Sequence, residues 1–167
     1  MTDQPLPQRK IIRLPEHTYR DAGAYFVTVC SQDSAGLFGE VINSMMQLND
    51  IGRTAKNEWI RIRLTNRWPG ITIDQAHVVM PNHVHGIVIF EDMRRTIKMP
   101  HLYDVIARYK ADVTREVRRF QMDFKLDIWQ RRFNDRVVRD EDELSRIRQY
   151  IVDNPAQWME DEYYGLR

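Results

Sequence analysis

ITIDQAHVVMPNHVHGIVIF, Ile71–Phe90, is the stretch whose reading decides the architecture. β-Branched and apolar residues fill both halves and Pro81-Asn82 interrupts them, so it reads as two strands joined by a tight turn. Side chains alternate along a strand, which points His83 and His85 to one face and Val84 to the other. Cα atoms two residues apart are separated by about 7 Å, close enough for the two imidazoles to share one divalent cation. Imidazoles inside an apolar run need hydrogen bonds or a metal. The plain reading is that both rings are satisfied by backbone or water; the chemical one is that they are ligands. Two histidines alone hold an ion weakly, so the chemical reading requires a third ligand. Ile87 and Ile89 share the histidines' face, which puts the pair at the start of its strand, on the sheet's rim. His77 lies across the turn and reads as structural.

Outward from this stretch the chain alternates between periods. GAYFVTVCSQ (Gly23–Gln32) reads as a strand, and LFGEVIN with MMQLN reads as a hairpin around Asn43-Ser44. Asn49 or Asp50 can cap a helix through Leu64 whose apolar face carries Ile51, Ala55, Trp59 and Ile62. Pro69 and Gly70 follow it as breakers. A long helix is expected from about His101 to Gln121, burying Leu102, Val105, Ile106, Tyr109, Val113 and Val117. DIWQRRF and RVVRD read as short strands or extended loop, with Trp129 in the core. EDELSRIRQYIVDN is a helix with acids in its first turn, as the helix dipole favours, and Pro155 should break it near Asn154. Tyr150 and Asn154 are one turn apart on its surface. The element order indicates an α+β fold, an antiparallel sheet with helices packed mainly on one face. The expected organisation is an extended basic arm over 1–18, a single catalytic domain over 19–160 and a short tail over 161–167.

Composition excludes several classes. The 167 residues are 43% hydrophobic and 29% charged, suited to one globular domain. No apolar run approaches the roughly 20 residues that span a bilayer, and the first residues lack an apolar signal core, so no membrane partner and a cytoplasmic location are expected. The lone Cys30 excludes an intramolecular disulfide and a Cys-rich zinc site. Net charge is +1, but Arg94–Arg139 holds thirteen Lys/Arg against six Asp/Glu, whereas Asp140–Arg167 holds three against eight. A basic middle beside an acidic end suggests a polyanion-facing surface.

PNHVH followed some 65 residues later by YIVDNP, together with GAYFVTVCSQ, LFGEV and WQRRFNDRVVRDEDELSRIRQYIVDNP, resembles the REP-associated tyrosine transposases of the single-tyrosine HUH nuclease superfamily. The resemblance runs from about Arg9 to Trp158. It implies a ferredoxin-like α+β sandwich, His83 and His85 as metal ligands, Tyr150 as the catalytic tyrosine and Asn154 as the residue completing the metal site. It implies Mg²⁺ or Mn²⁺ as cofactor and single-stranded DNA with hairpin-forming palindromes as substrate, cleaved through a 5′-phosphotyrosine intermediate by a monomer or homodimer. Candidate phosphate contacts are Arg9, Lys10 and Arg13 on the arm, Lys110 and Arg115 on the long helix, and Arg131, Arg132 and Arg136. Many relatives carry His or Tyr where this chain reads FNDR, so sequence readout by that segment stays open. The alternative is a domesticated binder of structured palindromes that does not cleave them.

Overall fold

The computed structural model describes residues 22–65, 67–92, 100–123 and 125–165. The N-terminal arm, with Arg9, Lys10 and Arg13, lies outside the described residues. Among the described residues, six strands and three α-helices follow in the order β1 (Gly23–Cys30), β2 (Gly39–Ile42), β3 (Met45–Leu48), α1 (Asp50–Leu64), β4 (Ile71–Val79), β5 (His83–Phe90), α2 (Leu102–Gln121), β6 (Asn134–Val138) and α3 (Glu141–Asp153). β4, β5, β1 and β6 form one antiparallel sheet in that spatial order, while β2 and β3 pair separately. Without the hairpin and α3, the run β1-α1-β4-β5-α2-β6 is the βαββαβ topology of ferredoxin-like folds.

Local chemistry accounts for the boundaries. Asn43 and Ser44 both adopt positive φ, which a two-residue hairpin turn demands. Asn49 caps α1 by accepting from the Gly52 amide at 2.9 Å. His101 and Asp104 cap α2 reciprocally, satisfying amides that the first turn would otherwise orphan. Asp140 caps α3 by accepting from the Glu143 amide, and the helix ends at Asp153, two residues before Pro155.

The sheet has two covered faces. Tyr25, Val27 and Val29 of β1 and Val84, Val88 and Phe90 of β5 pack with Trp59 of α1 and with Val105, Ile106, Tyr109 and Val113 of α2. Trp129 joins this core, its ring against Phe38 and Tyr109 and its Nε1–H donating to the Lys110 carbonyl at 3.2 Å. Residues of opposite parity, Ala24, Phe26, Ile87 and Ile89, meet Leu144, Ile147 and Ile151 of α3. Two helices therefore share one face, as the sequence indicates, and α3 alone occupies the other. Its position follows from ion pairs as well as apolar area. Arg148 makes a two-pronged contact with Asp74 of β4, at 3.2 and 2.6 Å. Near the other end, buried Glu143 accepts from the Arg139 amide and from the guanidinium groups of Arg136 and Arg139. Among the described residues, no helix is long and apolar enough to cross a membrane.

Candidate metal and tyrosine centre

β5 alternation puts His83 and His85 on the face that α3 covers, together with Ile87 and Ile89. Both rings are essentially inaccessible, at 0% and 1% exposure, and their centroids lie 4.3 Å apart. Each imidazole is oriented by a neighbour. Asn82 Nδ2 donates to the Tyr163 and Ser34 carbonyls, which turns its Oδ1 toward His83 Nδ1 at 2.9 Å. That oxygen can only accept, so this contact suits the tautomer with the proton on His83 Nδ1, in which Nε2 is the nitrogen able to ligate a metal. His85 Nδ1 lies 2.9 Å from the Thr28 hydroxyl on β1, the residue opposite it in register. Its Nε2 then faces α3. Burial holds the His85 pKa well below the usual histidine value, helped by His83 beside it and opposed by Asp161. A neutral ring is the form that coordinates metal.

α3 brings Tyr150 to this pair. Its hydroxyl lies 3.4 Å from His85 Nε2, and its ring packs edge-on to Phe26. The phenol is 36% exposed, so it borders solvent while its oxygen points inward. Asn154, one turn on, is buried, and its Oδ1 has no hydrogen-bond partner. Residues beyond Pro155 then reverse direction through turns and the short 3₁₀ segment Trp158–Glu160. The reversal sets the Asp161 carboxylate between Tyr150 and Asn154: its Oδ2 accepts from the Tyr150 hydroxyl at 3.3 Å and from Asn154 Nδ2 at 2.7 Å. Burial first, and then the Asp161 charge and hydrogen bond, raise the Tyr150 pKa above the usual value near 10.

One ligand atom from each of His83, His85 and Asp161 lies within 4.8 Å of the other two. Two neutral imidazoles and one carboxylate are a donor set suited to a divalent first-row metal or to Mg²⁺, so the residues present fit the cation that the resemblance implies. Sequence reasoning missed Asp161, which opens the segment read as a tail. Tyr163, which the sequence offers only as a backup tyrosine in that tail, is 3% exposed, with its ring 4.5 Å from that of His83 and its hydroxyl accepting from Asn134 Nδ2 at 3.0 Å. The available signal was the Asn154-Pro155 break, which forces a reversal just past Tyr150.

The basic candidates separate. Arg131 and Arg132 are exposed and follow Gln130, whose amide bonds the Cys30 carbonyl at the histidine end of the sheet. Arg136 stands on β6 opposite Phe26 and pairs with Glu143. Lys110 Nζ donates to the Gln130 and Arg132 carbonyls, and burial lowers its pKa to about 8. Arg115 pairs with Asp112 at 2.6 Å on α2, on the sheet face away from α3. Asp112 also engages Arg108 at 2.9 Å, so much of the positive charge counted along this helix is neutralised one turn away. His77, opposite Gly86 in register, shares the α1–α2 face and stands apart from the histidine pair.

No family profile matches the chain. An uncharacterized protein of Haemophilus influenzae is 36% identical over 172 residues, covering 93% of this chain and 93% of that protein. Among solved structures, a REP-associated tyrosine transposase bound to a REP hairpin superposes with a TM-score of 0.53 at 19% identity, covering 90% of this chain and 86% of the other. A candidate transposase from Deinococcus radiodurans gives a TM-score of 0.52 at 15% identity, covering 82% and 94%. At these identities the two structures share the fold.

Proposed function

We infer that this chain, which belongs to one family with the Haemophilus influenzae protein, is a metal-dependent transesterase of single-stranded DNA with Tyr150 as nucleophile. The observation that carries the reading is the 3.4 Å contact between the Tyr150 hydroxyl and His85 Nε2, made within one chain by residues 65 positions apart. It is the juxtaposition that the transposase resemblance requires, in a fold shared with a transposase that binds a REP hairpin.

The Tyr150 oxygen attacks the scissile phosphorus in line, the P–O3′ bond breaks, and a 5′-phosphotyrosine and a free 3′-OH result. The phenolic proton leaves Tyr150 and the departing 3′ oxygen takes one up. Attack by a 3′-OH on the phosphotyrosine reverses these steps and joins strands. Mg²⁺ or Mn²⁺ held by His83 and His85 with an oxygen donor would supply Lewis-acid stabilisation of the charge on the phosphoryl oxygens. Asn82 and Thr28 hold the two imidazoles in orientation. Phe26 packs against the Tyr150 ring and limits its travel. Among the described candidates, the exposed Arg131 and Arg132 are suited to the strand's phosphates, whereas Arg136 is engaged by Glu143, and Arg9, Lys10 and Arg13 would extend that contact. Tyrosine and histidines come from the same copy, so a monomer suffices.

Incubating the protein with Mn²⁺ and a hairpin-bearing oligonucleotide should give a protein–DNA adduct on a denaturing gel. Tyr150→Phe should lower adduct formation by at least about 10³-fold, the scale on which loss of a nucleophile is felt. Undiminished adduct from Tyr150→Phe would move the nucleophile elsewhere, with Tyr163 the first suspect. A second reading, a binder of structured palindromes that does not cleave, draws on the environment that raises the Tyr150 pKa. Chelator-indifferent hairpin binding with no adduct under any divalent metal would favour it.

A further inference from the structure

We propose that Asp161 is the third protein ligand of the cation held by His83 and His85, and that Asn154 is the positioning residue that aims the Asp161 carboxylate. The inference rests on reading the histidine pair as a metal site and is independent of whether Tyr150 is the nucleophile. Two oxygens compete for the third position. Asn154 Oδ1 is buried without a hydrogen-bond partner, and the resemblance points to it. Geometry and charge favour Asp161. A carboxylate oxygen of Asp161 lies within 4.8 Å of a ring nitrogen of each histidine, so one ion can span all three with little movement. Being anionic, a carboxylate binds a hard divalent cation more strongly than a neutral amide carbonyl does.

The amide of Asn154 is already committed: its Nδ2 donates to Asp161 Oδ2 at 2.7 Å, the kind of hydrogen bond that orients a ligating carboxylate from behind. Asp161 is fixed from the other side as well, since its Oδ1 accepts from the Tyr163 amide at 2.7 Å. Tyr163 is in turn anchored by the Asn82 contact to its carbonyl and by Asn134 at its hydroxyl. The same Asn82 that orients His83 thus ties down the turn that carries Asp161. On this assignment the segment after Pro155 is a wall of the metal site.

Mn²⁺ binding, read by electron paramagnetic resonance of the free ion, tests the assignment without any cleavage assay. Asp161→Asn keeps the side-chain shape and should raise the Mn²⁺ Kd by more than about 100-fold, whereas Asn154→Ala should raise it by the roughly 10–100-fold typical of orienting partners. Unchanged Mn²⁺ affinity in Asp161→Asn with large loss in Asn154→Ala would overturn the proposal. Asp161→Cys supplies a signature that a structural role would not produce. With Cd²⁺ it should show a thiolate-to-metal ultraviolet band absent from the wild type, and no band would count against coordination at this position even if Asp161→Asn folds poorly. His83→Ala serves as reference: should it bind Mn²⁺ as the wild type does, the metal reading of the histidine pair fails, and Asp161 fails with it. Loss of DNA adduct with Mn²⁺ binding intact would instead fault the nuclease reading alone.

Discussion

Gly86 follows His85 on β5 and faces the opposite side of the sheet, against Trp59. A Cβ built there would overlap the indole of Trp59, because β5 and α1 approach closely where the sheet face turns toward Trp59. Gly86→Ala should therefore lower stability by about 1–3 kcal/mol, the usual cost of overpacking a dense core, as read from the midpoint of chemical denaturation. The common face of His83 and His85 and the one-turn offset of Tyr150 from Asn154 were legible in the sequence because they are local properties of the chain, whereas the roles proposed for them came only from the family resemblance. Asp161 was not legible. It sits in the acidic run EDEYY, whose pattern is that of a solvated tail, and only the reversal after Pro155 brings it to Tyr150.

At the scale of elements, α3 is the piece that must be held in place for the tyrosine to meet the histidines. Its apolar stripe of Leu144, Ile147 and Ile151 could be read from spacing, but the sheet face it covers could not, since Asp74 and Arg148 lie 74 residues apart. The Glu143 clamp makes this docking sensitive to acid. The Arg139 side-chain and backbone hydrogen bonds, with Arg136 behind them, depress the Glu143 pKa from 4.5 to about 2. A carboxylate depressed on folding contributes stability that is complete above its unfolded pKa and is lost as pH falls through the folded value. Stability of the wild type should therefore fall as pH drops from about 4.5 toward 2. Glu143→Gln should be less stable at neutral pH and show a shallower decline over that window in thermal melts.

Across the whole molecule, the sheet is a partition. α1 and α2 fill one side with the main core, while the histidines, Tyr150 and the chain's last described turn gather on the other. The alternation of strands and helices was recoverable from period for β1, β4, β5 and the helices, with Asn49 and His101 at observed helix starts, whereas β6 could not be told from extended loop because its run NDRVV is short and polar. Because one copy supplies both tyrosine and histidines, mixing Tyr150→Phe with His85→Ala protein should not restore adduct formation on gels. Restoration would mean that copies exchange α3.

β5, which carries the histidines, is hydrogen-bonded on both edges, to β4 and to β1, and Thr28 of β1 braces His85. The imidazoles are thus mounted on the portion of the fold that local opening reaches last, whereas Asp161 rides on a turn secured by a handful of contacts near the periphery. On the proposed assignment of Asp161, grip on an ion would loosen by fraying of that last turn alone, leaving the sheet intact and ready to be reloaded.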